Sequence, residues 1–363
     1  MERLNWHIAD ELSKYADIKI VAPAGAAALR PAQVELIEVP LRPLWRFLLS
    51  SAWQACRTAY SWRPDIVLAG SGLTAPAALI AAKASGARAC AYLHGLDVAV
   101  RHPIYQALWL PAIRQMSTVI TNSRATAELA HTLNIARGKL QVIHPGVQLP
   151  DARQSPENLS AFRRRYDLGN SRILLSVGRL TSRKGLREFV EKSLPSIVGS
   201  APDTLLVVIG PPPSDALHAN EQTRESIQAA ADAAHIGKHV RFLGAISQAE
   251  LACAYECASL HVFPVRNVPG DPEGFGMVAI EAAAHGTPTA GFATAGVVDA
   301  VANGQSGYLV PTDDYPALTQ TISRLLSDES IDWKYTAFSF ARKFAWPEFG
   351  LQIWNALSKT KTP

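Results

Sequence analysis

The chain has 363 residues, 48% of them hydrophobic and 18% charged, with a formal net charge of +4. That length fits two domains of ordinary size, and that balance fits a globular protein with large apolar cores rather than a disordered chain. The mild charge, in no long run of one sign, excludes binding nucleic acid by bulk charge, and no apolar stretch reaches the roughly 18 residues of a spanning helix.

In chain order, Glu2 to Leu12 reads as a helix with an apolar stripe at Leu4, Ile8 and Leu12, followed by a strand over Ile18–Pro23. Leu41 to Arg63 sets Trp45, Trp53, Tyr60 and Trp62 among Arg42, Arg46, Arg57 and Arg63. Tryptophan and arginine on an amphipathic helix suit an anionic membrane surface, where rings sit at headgroup depth and arginines snorkel. The alternative is a core helix with a basic outer face. Strands follow at Asp65–Ala69, Arg88–Leu93, Thr118–Thr121 and Leu140–Ile143, with helices over Thr74–Ser85, Ile104–Met116 and Ser123–Leu133, the last capped by Ser123. Such alternation predicts a parallel sheet covered on both faces.

A linker rich in proline and polar residues is expected within Pro145–Glu157. The second half repeats the alternation, with strands near 173–177, 205–209, 240–243, 260–263, 288–292 and 308–310. Its helices are expected near 185–198, 222–235, 248–257, 276–285, 295–302 and 315–327, and a helical tail over Trp333–Leu357. Cys56, Cys90, Cys253 and Cys257 show no second, histidine-bearing pair at metal spacing. They read as reduced and structural, and with no visible secretory leader they place the protein in the cytoplasm.

Two motifs carry chemistry. In Pro272-Glu273-Gly274-Phe275-Gly276-Met277-Val278-Ala279-Ile280-Glu281 two glutamates stand eight residues apart, with a glycine-rich turn after the first and a helix carrying the second. Such a turn presents backbone N–H groups and a helix start to an anion. Carboxylates do not neutralise phosphate, so their partners are hydroxyls, as on ribose or a hexose. The second motif, Gly178-Arg179-Leu180-Thr181-Ser182-Arg183-Lys184-Gly185, follows an apolar strand. There Arg179 and Lys184 are fixed cations suited to a diphosphate and to the charge of a departing nucleoside diphosphate. Alone, each motif also reads as a solvated loop; together in one α/β-patterned half they point to a nucleotide-sugar site.

His94, followed by Gly95, ends the strand Ala89–Leu93, the position where open α/β sheets take ligands. Asp97 close behind it is a second candidate, or else a loop or capping residue. Asp313-Asp314 reads as a solvated loop, and Arg163-Arg164-Arg165 as a solvated face.

These motifs resemble glycosyltransferase family 4, the retaining glycosyltransferases of GT-B fold. The resemblance also takes in His94-Gly95-Leu96-Asp97, Val240-Arg241-Phe242-Leu243-Gly244 and Asn303-Gly304-Gln305-Ser306-Gly307-Tyr308-Leu309-Val310, and so covers nearly the whole chain. It implies an α/β protein with two Rossmann-like doubly wound domains facing a central cleft. The expected boundaries are 1–147 for an acceptor-side domain, 148–335 for a nucleotide-sugar domain, and 336–363 for a helix that packs back on the first. The first strand and glycine-rich loop usual in the family are absent ahead of Glu2, so the sequence reads as starting inside the gene product.

By the same resemblance, His94, Arg179, Lys184 and Glu273 are catalytic. Gly178, Arg179, Lys184, Gly274, Phe275, Gly276 and Glu281 bind the nucleotide sugar, and His94 and Asp97 meet the acceptor. No cofactor and no metal are implied. The activity implied is transfer of a hexose, with retention, from a nucleoside-diphosphate sugar to a lipid-linked or cell-envelope polysaccharide acceptor. Pro269-Gly270-Asp271-Pro272-Glu273-Gly274-Phe275-Gly276 is similar to segments of phosphatidylinositol-mannosyltransferase-like members, which favours GDP-mannose over a UDP-sugar. The expected location is cytoplasmic, peripheral on the inner face of the membrane through 41–63. Two other readings stay open: a sugar-nucleotide epimerase, which needs acid/base carboxylates in its cleft, and a degenerate sugar-nucleotide-binding protein. Pro211-Pro212-Pro213 replaces the small glycine-rich turn usual at that place, so the loop near 210–220 departs from the pattern.

Overall fold

The structure, a computed structural model, describes residues 2–29, 31, 33–211, 222–328 and 330–359. The chain divides into two compact units, one formed by the residues up to Gly146 together with those from Trp346 on, the other by Val147–Ala345.

In the first unit, β1 (Lys19–Pro23) pairs in parallel with β2 (Glu35–Val39). A separate four-stranded parallel sheet runs β3 (Ile66–Ala69), β4 (Arg88–Leu93), β5 (Thr118–Thr121) and β6 (Leu140–Val142) in that order. β2 is an addition to the sequence reading. Its Glu35 and Glu38 interrupt the apolar pattern, and Glu35 is held by Lys19 of β1 at 2.8 Å. β4 is buried along nearly its whole length, as a central parallel strand should be. Helix Ala75–Ser85 lies against β3 and β4 and ends at Gly86, whose φ of 79° continues the chain out of the helix. The segment expected as one helix from Ile104 contains a π-turn over Tyr105–Trp109 before Leu110–Gln115. Pro111 just after that turn lacks the N–H that a regular α-helical ladder would use.

The second unit holds a six-stranded parallel sheet. Its strands are β7 (Arg172–Val177), β8 (Thr204–Ile209), β9 (Val240–Gly244), β10 (Leu260–Phe263), β11 (Thr289–Phe292) and β12 (Gly307–Val310), in the order β12-β11-β10-β7-β8-β9. β8 is buried at every position, between clusters on both faces. Removing the buried Leu206 side chain to Ala is expected to cost about 2–5 kcal/mol. The helix expected over 185–198 is two, Leu186–Lys192 and Leu194–Ser200, because Pro195 cannot donate into the first one's ladder.

The tail is also broken, into Trp333–Ala341 and Trp346–Ser358. The expected boundary at 335/336 therefore moves to Ala345/Trp346. Ala337, Phe340 and Ala341 are buried in a cluster with Phe275, Ala279 and Ile280 of the second unit. Only from Trp346 does the chain join the first unit, where Trp346 stacks on His7 at 3.8 Å and Phe349 and Ile353 share a core with Ile8 and Tyr92. Among the described residues no helix is long and apolar enough to cross a membrane. All four cysteines are free.

Candidate active site

In the second sheet the strand order reverses between β7 and β10. Connections leave these two neighbours to opposite sides, so a crevice opens beyond their carboxyl ends. Both sequence motifs lie there. After β7, Gly178 turns with a φ of 140° and Arg179, Leu180 and Thr181 lead into a 3₁₀ turn, Ser182–Lys184. After β10 comes the loop from Pro264 to Gly276. The two loops are joined through backbone by Arg266 N–H donating to the Arg183 carbonyl at 2.8 Å. Gly185 makes this approach possible: it has a φ of 66°, and a Cβ on it would collide with the Pro264 carbonyl.

Side chains complete the junction. Lys184 Nζ donates to Glu273 Oε2 at 2.7 Å, and Arg183 Nη1 donates to the same oxygen at 2.6 Å. Arg183 also reaches Asp271 Oδ1 at 3.3 Å and the Pro272 carbonyl at 3.4 Å. Burial works against the charge of Glu273, whose side chain is 12% exposed, but Lys184 and Arg183 outweigh it and hold the carboxyl below its usual range. Burial, together with Arg183 and Arg179, pulls the Lys184 ammonium down, and Glu273 opposes that. Arg179 is exposed; its carbonyl accepts from Thr181 N–H at 3.0 Å, and its side chain makes no hydrogen bond or ion pair among the described residues. Arg183 and Lys184 are thus paired with Asp271 and Glu273, and the exposed Arg179 adds a third cation at the end of β7.

Gly274, Phe275 and Gly276 carry the chain from Glu273 into the helix Met277–Ala284. Phe275 is buried and packs near Phe344 at 5.8 Å between ring centroids. Gly276 opens the helix at φ 97°, with the Phe263 ring 3.0 Å from where a Cβ would stand. In its first turn the Ala279 N–H donates to the Gly276 carbonyl at 2.9 Å, and the N–H groups ahead of it are those an α-helix leaves without an internal partner. Glu281, one turn on, accepts from the Tyr255 hydroxyl at 2.9 Å. Tyr255 is fully buried in helix Gln248–Cys257, and burial with the Glu281 charge raises its pKa well above the ordinary value, so it remains a donor. The structure thus gathers Gly178, Arg179, Lys184, Glu273, Gly274, Phe275, Gly276 and Glu281 within two loops and one helix of the second unit.

His94 and Asp97 belong to the first unit. His94 follows β4, and its Nε2 lies 2.8 Å from the Gly70 carbonyl. Burial, partly offset by Asp97, lowers its pKa, so the ring is neutral near pH 7. A carbonyl only accepts, which puts the proton on Nε2 and leaves Nδ1 as an acceptor. Asp97 Oδ2 accepts from the His94 backbone N–H at 2.9 Å and so closes the turn at Gly95. Asp97 thereby does the work of a turn residue, fixing His94. Asn122 and Ser123 are likewise structural: Ser123 caps its helix by accepting from Thr126 N–H at 3.1 Å. Asp314 caps helix Tyr315–Ser327 through Ala317 N–H at 3.0 Å. Among the described residues no group of three or more His, Cys, Asp or Glu is gathered for a metal ion. The altered loop from Pro212 to 220 lies outside the described residues.

Three residues of this region escape the sequence reading. Arg183 sits inside the recognised motif, yet its direction depends on the tertiary approach of the 271–273 segment. Tyr255 lies in an apolar helix stripe and reads as core. His261 on β10 is fully buried; its Nδ1 is 3.1 Å from Thr289 Oγ1 and its Nε2 has no hydrogen-bond partner.

Known proteins are similar to this chain in sequence and fold. Residues 160–339 match the family described as Glycosyl transferases group 1, and residues 1–150 match Glycosyltransferase Family 4. A GDP-mannose-dependent alpha-(1-6)-phosphatidylinositol monomannoside mannosyltransferase of Mycolicibacterium smegmatis is 28% identical over 270 residues, 73% of this chain and 68% of that one. A D-inositol 3-phosphate glycosyltransferase of Corynebacterium efficiens is 28% identical over 249 residues, 67% of this chain and 56% of that one. Among solved structures, Anabaena HepE in complex with UDP superposes with a TM-score of 0.79 at 18% identity, over 98% of this chain and 95% of that one. WaaG, a glycosyltransferase involved in lipopolysaccharide biosynthesis, superposes with a TM-score of 0.66 at 16% identity, over 99% and 96%. With both halves matched and two parallel α/β units observed, the chain belongs to the family-4 glycosyltransferases and has their GT-B fold.

Proposed function

We propose that the protein transfers a hexose, with retention, from a nucleoside-diphosphate sugar to a lipid-linked or cell-envelope glycan acceptor. The observation that carries this reading is the cationic crevice at the β7/β10 switch point, with Arg179 exposed and Arg183 and Lys184 gathered on Glu273. A diphosphate there meets Arg179, Lys184 and the N–H groups of the Gly274–Gly276 turn. Glu281, oriented by Tyr255, accepts from the ribose hydroxyls, and the free oxygen of Glu273 accepts from a hydroxyl of the transferred sugar.

In the chemical step the bond from the anomeric carbon to the phosphate oxygen breaks, and its electron pair goes to the phosphate. Arg179 and Lys184 stabilise that developing charge. The acceptor hydroxyl attacks the same face, and its proton passes to the departing phosphate oxygen. Positive charge for the leaving group comes from side chains, so transfer is expected to persist in EDTA. His94 and Asp97 serve the acceptor, His94 directly through Nδ1 and Asp97 by holding His94 in place.

GDP-mannose is the favoured donor, supported by the GDP-mannose-dependent relative and by the segment 269–276. HepE has also been solved with UDP-glucose, which keeps a UDP-sugar in the comparison. A thermal-shift panel of GDP- and UDP-sugars tests the donor, since a ligand at about 100 times its Kd adds roughly 2.7 kcal/mol. NMR of the product tests retention: an inverted anomeric configuration overturns the same-face step.

A further inference from the structure

Helix Leu44–Trp62 has two faces, and both are apolar. Its inner face buries Phe47, Ser51 and Ala59, and the helix packs on Ala75–Ser85. The outer face of such a helix is ordinarily polar. Here Trp45, Leu49, Trp53 and Tyr60 stand between 63% and 67% exposed. At about 3.6 residues per turn, positions 45, 49, 53, 56 and 60 fall on one continuous stripe. Arg46, Ser50, Arg57 and Ser61 run along its flank. Leu41 and Leu44, both exposed, extend the apolar surface at the helix start.

Charge singles out the occupant. Between Glu38 and Asp65 the chain has four arginines, Arg42, Arg46, Arg57 and Arg63, and no acidic residue. Two rings of this segment carry cations at their faces: Arg63 lies 4.9 Å from the Tyr60 ring centroid, and Lys19 lies 5.3 Å from that of Trp62. A second copy meeting this face symmetrically would bring arginines against arginines. A layer of lipid phosphates satisfies both halves of the surface, since guanidinium pairs well with phosphate while the stripe enters the acyl boundary.

We propose that the outer face of helix Leu44–Trp62 lies on an anionic lipid bilayer. Trp45, Leu49, Trp53 and Tyr60 insert among the headgroups, and the arginines meet the lipid phosphates. This deepens the lipid-acceptor part of the proposed function and rests on it for its purpose. Docking itself is measured with no sugar present, so the two readings fail separately.

The test is sedimentation of the full chain with vesicles of phosphatidylcholine, with and without phosphatidylglycerol. The protein is expected to pellet with phosphatidylglycerol vesicles at low salt, with its tryptophan emission shifted to the blue. Binding should be at least tenfold weaker to phosphatidylcholine alone and should fall steeply as salt rises. Trp45→Ser with Trp53→Ser should weaken binding at least tenfold. Arg46→Gln with Arg57→Gln should weaken it about twenty-fivefold, roughly fivefold for each arginine near the surface, and flatten the salt dependence.

All four side chains are exposed, so the melting temperature and the shift produced by GDP should match wild type in both variants. Failure of the wild type to pellet overturns the proposal, as does equal binding to neutral vesicles or wild-type binding by both variants. A wild-type dimer that the tryptophan variant converts to monomer also overturns it, and assigns the face to self-association. Loss of GDP binding with vesicle binding intact counts against the proposed function alone.

Discussion

Arg183 and Lys184, neighbours in sequence, donate to one and the same oxygen of Glu273, at 2.6 Å and 2.7 Å. Glu273 Oε1 has no partner among the described residues, so one oxygen is anchored and the other is left for a ligand. Arg183 is 10% exposed and also engages Asp271, which makes it the strap between the two loops of the crevice. Arg183→Ala should destabilise the protein by about 3–5 kcal/mol, the scale for breaking a buried pair. Arg183→Lys restores charge but not the reach to both Asp271 and Glu273, and is expected to recover stability only in part. If Arg183 positions Glu273, kcat should fall in both variants while KM for the donor moves little. A stability loss with unchanged kcat would reduce Arg183 to a structural brace.

The two glutamates should separate by ligand. Glu281→Ala is expected to weaken free GDP and the full sugar nucleotide alike, because the ribose is common to both. Glu273→Ala should weaken mainly the sugar nucleotide, by roughly tenfold for one hydrogen bond to a charged group. Calorimetry with both ligands on both variants measures this. Equal losses for both ligands in Glu273→Ala would contradict the assignment to the transferred sugar.

Tyr255 gives a cleaner probe of Glu281 than Glu281 itself. Tyr255→Phe keeps the buried ring and its stacking with His285 at 5.5 Å, and deletes only the hydroxyl 2.9 Å from the carboxylate. A hydrogen bond to a charged group contributes about 1.5–3 kcal/mol. GDP affinity is therefore expected to drop about tenfold or more, with a smaller change in melting temperature. Unchanged affinity in titration calorimetry would mean that Glu281 keeps its orientation without Tyr255.

The sequence was most legible where periodicity and strand-end position act together. β7, β10 and the helix Met277–Ala284 are predicted from apolar runs and a glycine turn, so Arg179, Lys184 and Glu273 fall in the loops beside these elements and Glu281 falls inside the helix. β2 was illegible because Glu35 and Glu38 break its pattern, and what holds it is pairing with β1. The roles of Arg183 and Tyr255 depend on contacts 90 and 26 residues away in sequence, which no local pattern encodes. Asp97 shows the converse. Two positions past a strand-end His-Gly, it reads either as a ligand contact or as a loop or capping residue, and its carboxylate accepts from the backbone N–H of His94. For helix Leu44–Trp62 the sequence left open a membrane-surface helix and a core helix with a basic outer face; the helix buries Phe47 and leaves Trp53 exposed.

Acid should destabilise the nucleotide-side unit through His261. Burial, with the Lys184 charge adding to it, pushes this imidazole down from about 6.5 to about 3. The folded chain therefore keeps His261 neutral until about pH 3, whereas the unfolded chain protonates it near 6.5. Between those two values the unfolded state holds one more proton, so stability rises with pH there and is lost on acidification. The slope is about 1.4 kcal/mol per pH unit, which makes the loss between pH 7 and pH 5 about 2 kcal/mol from this group. Glu273, whose depressed pKa gives stability that disappears only as pH falls below the ordinary carboxylate range, acts outside that window. His261→Gln keeps a polar group for Thr289 and does not titrate. Urea unfolding at pH 7, 6 and 5 should show the variant losing about 2 kcal/mol less than wild type across the range, whatever its stability at pH 7. Parallel loss in both proteins would mean that His261 accepts a proton in the folded state, and that Lys184 beside it does not hold the ring neutral.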